Sequence, residues 1–152
     1  SICSVNRQKR QVGAECVGAG PGAARFGRGC NESTMTDVIL LMGLLDPQTF
    51  FGGGLKLDID RARAAIDENI ASPLGISADE ALVKLRDAYD KKVSDEMIKF
   101  ADISDDTALL AFGGAGPTSA GGISYTCGIR PGFIPTTTGV LRVFGIGTCD
   151  IG

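Results

Sequence analysis

Apolar residues recur at helical spacing in three stretches of the chain, each opening on a residue suited to cap a helix. Thr34 or Thr36 precedes a short apolar run, and the pattern predicts a helix over Val38 to Leu45. Asp46-Pro47 then reads as a cap with proline at the first helical position of another helix. Asp58 precedes a helix that places Ala62, Ala65, Ile66 and Ile70 on one face and ends before Pro73. Ser77-Ala78-Asp79-Glu80 fits a capping box. It opens the longest helix, with Ala81, Leu82, Leu85, Ala88 and Tyr89 at helical spacing, running to about Ala101.

The pattern changes after this helix. Thr107 to Phe112 is a short apolar run that stops at Gly113-Gly114-Ala115-Gly116-Pro117, which predicts a strand, a glycine turn and a helix. A second strand is expected at Ile129 to Ile134, and a helix or strand at Val140 to Ile151. Gly13 to Gly29 reads as loop, and the stretch from Ser1 to Gly13 is polar and basic. Strands alternating with helices give an α/β class, with too few strands for a complete sheet. No internal repeat is visible.

Glycine and charge divide the chain the same way. Residues 1–54 hold ten of the 22 glycines, residues 55–112 hold only Gly75, and residues 113–152 hold eleven. Of the 33 charged residues, 21 lie between Lys56 and Asp106, and only Arg130, Arg142 and Asp150 lie in the last forty positions. The expected organisation is one partial domain: glycine-rich loops and a short helix over 1–54, a solvated helical segment over 55–106, and a strand–turn–helix segment over 107–152. So few charges in the last forty residues imply that this segment is covered, by its own domain or by another polypeptide.

Composition removes several function classes. Net charge is −3, so there is no basic excess to neutralise the phosphates of a nucleic acid. Apolar runs fall far short of the roughly 20 residues of a membrane helix. With no histidine in the chain, histidine-based triads and dyads and the common zinc sites are excluded. The five cysteines, Cys3, Cys16, Cys30, Cys127 and Cys149, are odd in number and never spaced as C-x-x-C, which points to a reducing, cytoplasmic setting. No signal peptide is recognisable, and the missing initiator methionine suggests processing or a piece of a longer chain.

The glycine turns are the candidate chemistry. A strand that ends in Gly-Gly-x-Gly and enters a helix lets backbone approach a ligand, with the helix N-terminus facing an anion or nucleotide. The same pattern also describes a tight turn with no ligand. Gly18, Gly20 and Gly22 form a second glycine loop, which lacks the lysine and hydroxyl of a P-loop. Arg28 and Arg25 behind it suit a phosphate or carboxylate, or an ordinary ion pair. Asp37 suits a magnesium-bound water or a nucleotide, or simply the first turn of a helix, where the dipole favours an acid.

Taken in order, these segments resemble one family. They are Ala14-Glu15-Cys16-Val17-Gly18-Ala19-Gly20-Pro21-Gly22, Phe26-Gly27-Arg28-Gly29, Thr34-Met35-Thr36-Asp37, Gly43-Leu44-Leu45-Asp46-Pro47, Phe51-Gly52-Gly53, Leu57-Asp58, Ala62 to Ile66, Ile70 to Ala81, and Ala111 to Thr118. The chain is similar over nearly its whole length to the hydantoinase A / 5-oxoprolinase / ketone carboxylase family. The nucleotide-binding subunits of that family look like the actin–sugar kinase–heat-shock ATPase fold. Thr118, Val143-Phe144-Gly145, Thr148 and Asp150 look more like acetone and acetophenone carboxylases than hydantoinases. Departures are Ser119 where histidine is usual, Cys30 where glycine is usual, Ser33 where proline is usual, and the stretch Leu85 to Asp106.

The resemblance implies ATP and Mg2+ as cofactors and partner subunits in a hetero-oligomeric, ATP-dependent carboxylase. A hydantoinase- or 5-oxoprolinase-type amide hydrolase and a non-catalytic structural module are the alternatives. It further implies that Gly113, Gly114, Ala115, Gly116 and Pro117 lie under the adenosine, and that Gly18, Gly20, Gly22, Arg28 and Asp37 line the same cleft. Ser1-Ile2 aligns just after the family's glycine- and serine-rich phosphate loop. By the resemblance, the first half of the nucleotide-binding domain lies in a partner subunit or in the rest of a longer chain, and the isolated chain is expected to be inactive.

Overall fold

The computed structural model describes residues 2–6, 11–15, 33–48, 57–113 and 116–133. The chain divides into two units, Ser1–Tyr89 and Asp90–Gly152. Of the first glycine loop, only Gly13, Ala14 and Glu15 are described; Gly18, Gly20, Gly22 and Arg28 lie outside the described residues, as do Gly114, Ala115 and the segment from Val140 to Ile151.

The first unit opens on a hairpin. Strands β1 (Ile2–Asn6) and β2 (Gln11–Glu15) pair antiparallel, with Cys3 opposite Ala14 and Val5 opposite Val12. This corrects the reading of the polar start and of Gly13 as loop. Polar residues alternate with Cys3 and Val5, so one face can be buried while the other stays wet. Cys3 is buried while Ser4 and Asn6 are exposed.

Helix α1 (Met35–Leu41) starts where Thr34 caps it, earlier than the apolar run suggested. The box is complete, because Asp37 at the third helical position returns a bond to the Thr34 backbone. Helix α1 also stops earlier, at Leu41. No helix follows Asp46-Pro47 within the described residues. Instead the Asp46 carboxylate accepts the Gln48 N–H at 2.9 Å, an Asx turn in place of a helix cap.

Asp58 caps helix α2 (Ile59–Ile66), accepting the Arg61 N–H at 3.0 Å. The helix does not end before Pro73. It widens into a π-helical turn, Asp67–Ala71, and continues as α3 (Ser72–Leu74). Proline inside an α-helix removes one bond and crowds the carbonyl four residues back. Here the ladder has already shifted: Ser72 N–H donates to Asp67 O, five residues back, so Pro73 enters a freshly started turn. Gly75 closes the helix, and Ile76 N–H donates to Ala71 O at 3.2 Å.

Helix α4 (Ala78–Phe100) runs as expected. Of the expected box at its start, the Ser77 hydroxyl accepts the Glu80 N–H at 3.2 Å, while the Glu80 carboxylate meets Lys84 at 3.6 Å. Met35, Val38, Ile66, Ile70, Leu74, Ala81, Leu82 and Leu85 gather with Cys3 into the core of the first unit. Every apolar residue placed on the α2 face is buried. Burying one such isoleucine or leucine is worth about 1.5–3 kcal/mol.

The second unit contains a β–α–β arrangement. Strand β3 (Ala108–Leu110) pairs parallel with β4 (Arg130–Phe133), and helix α5 (Gly116–Cys127) connects them. Parallel strands need such a crossover. The pairing slips by one residue between Ala108↔Arg130 and Leu110↔Phe133. The extra residue falls at Pro131-Gly132, where proline has no N–H to give the ladder. The strand–turn–helix–strand expectation therefore holds. Helix α5 buries Ser119, Ala120, Ile123 and Ser124, while Tyr125 stands 90% exposed on this chain. Among the described residues no helix is long and apolar enough to cross a membrane.

Candidate functional site

The turn between β3 and α5 is the feature that the sequence singled out most clearly. Strand β3 ends at Leu110, Ala111 is buried, and the chain reaches Gly113 with φ +84°. That left-handed value is strained for any residue with a side chain. A Cβ built on Gly113 meets nothing within 4 Å, so backbone conformation and not crowding accounts for glycine there. At Gly116 a Cβ would lie 3.9 Å from the Ala111 carbonyl carbon, an ordinary contact, so packing within the described residues does not require glycine either. Helix α5 then begins with Gly116-Pro117, and proline loses nothing in a first turn whose amides have no intrahelical acceptors. Ser119, which stands where the family pattern has histidine, is 7% exposed. Gly113 thus presents backbone with open space where a Cβ would be, three residues before a 12-residue helix.

Asp37 has a different setting, within the first unit. It is fully buried in the first turn of α1. Its Oδ2 accepts the Thr34 N–H and the Thr34 hydroxyl, both at 2.7 Å. The Asp37 N–H donates to Thr34 Oγ1 at 3.4 Å. Of the two roles that the sequence left open for Asp37, the described geometry displays the helix-capping one. Cys3 belongs to the same core and donates its N–H to Ser33 O at 2.7 Å. Burial, reinforced by the Asp37 carboxylate, pushes the Cys3 thiol up to about 12. That thiol stays protonated at neutral pH and is not a nucleophile. Cys3 and Cys127 are both free thiols.

One contact escaped the sequence reading. Asp90, on α4, is 6% exposed, and its carboxylate lies against Gly122 in the middle of α5, where a Cβ would overlap its Oδ2 and Cγ. The available signal was the pair Gly121-Gly122 inside a helical stretch, since glycine within a helix calls for a packing or functional reason. Among the described residues no group of three or more cysteines and acids could hold a metal ion.

Comparison with known proteins covers the whole chain. Residues 1–152 match the hydantoinase/oxoprolinase family. The chain is 35% identical to the acetophenone carboxylase gamma subunit of Aromatoleum aromaticum over 129 residues, 81% of this chain and 18% of that one. It is similar in structure to nucleotide-free acetone carboxylase, an enzyme of ATP-dependent acetone carboxylation, with a TM-score of 0.83 and 27% identity over 99% of this chain and 22% of that one. The ATP-dependent caprolactamase of Pseudomonas jessenii gives a TM-score of 0.77 and 31% identity over 90% of this chain and 20% of that one. The chain spans about a fifth of the length of these relatives. With a family match from the first residue to the last, the chain belongs to the hydantoinase/oxoprolinase family.

Proposed function

We propose that this chain is part of the ATP-binding subunit of a multi-subunit, ATP-dependent ketone carboxylase of the acetone/acetophenone type. The observation that carries this reading is the likeness to acetone carboxylase over 99% of the chain at a TM-score of 0.83. The 35% identity to an acetophenone carboxylase subunit supports the same branch. An ATP-dependent amide hydrolase is the second reading, favoured by the 31% identity to caprolactamase. Both readings place the chain in a nucleotide-binding lobe like that of the actin–sugar kinase–heat-shock ATPases, assembled with partner subunits.

The β3–α5 turn fits a nucleotide. Gly113 turns the backbone without a side chain and has open space where a Cβ would be, and α5 begins three residues later. Gly113, Gly114, Ala115, Gly116 and Pro117 would lie under the adenosine, holding it by backbone and shape. For Gly18, Gly20, Gly22, Arg28 and Asp37 as nucleotide-binding residues, the family resemblance is the sole support. When bound, ATP would supply a phosphoryl group to an oxygen of the substrate. Mg2+ would be held chiefly by the nucleotide's phosphates and by water, as is usual for this cation.

The test is nucleotide binding by the native assembly, with and without Gly114→Val. The substitution puts a branched side chain where backbone is to meet the base or ribose. ATP affinity is expected to fall by about tenfold, roughly 1.4 kcal/mol, with assembly intact. Unchanged affinity in an intact Gly114→Val assembly would remove this turn from the site.

A further inference from the structure

Helix α5 carries the candidate turn at one end and an unusually close contact at its middle. Asp90 is 6% exposed, and its carboxylate occupies the volume that a side chain on Gly122 would need. Gly121, its neighbour, is exposed and has nothing within 4 Å of a built Cβ. Only the second glycine of the pair is therefore demanded by the fold. One turn along α4, Ser94 is fully buried, and three residues before Gly122 on α5, Ser119 is buried as well. Thr126 donates its hydroxyl to the Gly122 carbonyl at 2.8 Å, a back-bond that bends helices.

Glycine weakens the helix that holds this contact, by about 1 kcal/mol relative to alanine. Glycine inside a helix calls for a packing or functional reason, and the Asp90 carboxylate against Gly122 supplies it. Where a sequence breaks a local rule at one point, function or strain is the expected reason.

We propose that Asp90 and Gly122 form a seat that sets the depth of α5 in the second unit, and so positions the turn at Gly113–Pro117 for nucleotide. This rests on the nucleotide reading of that turn. Gly116 and Gly122 share one helix, so a shift of α5 at the seat carries to its first turn. Asp90 acts through α5 and touches no substrate; it is a positioning residue.

The experiment uses the native assembly and four variants: Gly122→Ala, Asp90→Ala, the double variant, and Gly121→Ala as control. Gly122→Ala is expected to raise the KM for ATP about tenfold, with kcat at saturating ATP within about threefold. Gly121→Ala should change neither. The double variant should regain ATP affinity to within about threefold, because the methyl added by Gly122→Ala enters the space that the carboxylate leaves. A double variant no better than Gly122→Ala would overturn the seat, as would an unchanged KM. So would equal losses in kcat and kcat/KM.

Hydrogen exchange over residues 113–121 gives a readout without nucleotide. It should speed up about tenfold in Gly122→Ala and return in the double variant. If the wild-type assembly binds no ATP, the nucleotide reading fails, and exchange alone judges the seat. Unchanged exchange in Gly122→Ala then refutes it. Should Gly122→Ala fail to assemble, recovery of assembly and ATP affinity in the double variant supports the seat, and non-recovery refutes it.

Discussion

Ile66, Ile70, Leu85 and Val38 are buried to the last atom in the first unit, whereas α5 in the second buries Ser119, Ala120, Ile123 and Ser124. The first unit gains its stability from apolar volume, the ordinary source for a helical core. The second is arranged around close approach, with a carboxylate set against a glycine and a parallel strand pair closed over a proline bulge. Volume tolerates enlargement poorly but fears loss most. Close approach tolerates loss and fears enlargement.

Three measurements would sharpen or break this contrast. The largest effect is expected from Ile70→Ala, which should cost about 3–5 kcal/mol in urea denaturation through lost transfer energy and a cavity. A cost below about 1 kcal/mol would mean that the first core collapses to fill the space, and the contrast would dissolve. Next, Ala120→Leu in α5 should destabilise by about 1–3 kcal/mol through overpacking, although it adds apolar surface. A stabilised Ala120→Leu protein would reveal unused volume in the second unit.

The third measurement varies pH. The Cys3 thiol is raised in the folded state to about 12 from an ordinary 9.0, first by burial and then by Asp37. A thiol raised on folding leaves stability whole below about pH 9 and erodes it above, by about 1.4 kcal/mol per pH unit, until the folded value is reached. Cys3→Ala should flatten this alkaline loss. An equally steep loss in Cys3→Ala would show that other groups cause it.

Local punctuation made much of the second unit legible. An apolar run, a glycine turn, a helix and another short run lie within about 30 residues, and each signal is read from its neighbours alone. The β1–β2 hairpin left no such trace, because its register resides in pairing across residues that look merely polar. Pro73 misled for a physical reason: the rule that proline ends a helix assumes an i→i−4 ladder, and the π turn had already changed it. Asp37 was legible as an acid in a first helical turn, which is how it is used in the described geometry. The Asp90–Gly122 contact was not, since glycine in a helix announces that something is near without saying what. Nor could any periodicity choose between a ligand turn and a bare one at Gly113; the ligand reading is a proposal that rests on the family resemblance.

The π turn at Asp67–Ala71 also bears on how this family can change in length. It holds one residue more than an α-helical turn would, so a single-residue deletion here would restore a regular helix, not break one. The wide turn takes up its extra residue locally, so positions beyond it such as Leu74 would keep their face. What the repaired ladder would not accommodate is Pro73, returned to an α-helical interior, and a deletion of Ile70 or Ala71 would take a buried side chain with it. The extra residue is thus tied to the proline that follows it and to the buried residues it carries. Relatives of this chain are expected to accept insertions and deletions in their glycine loops far more readily than in these five residues, although Asp67 and Glu68 face solvent.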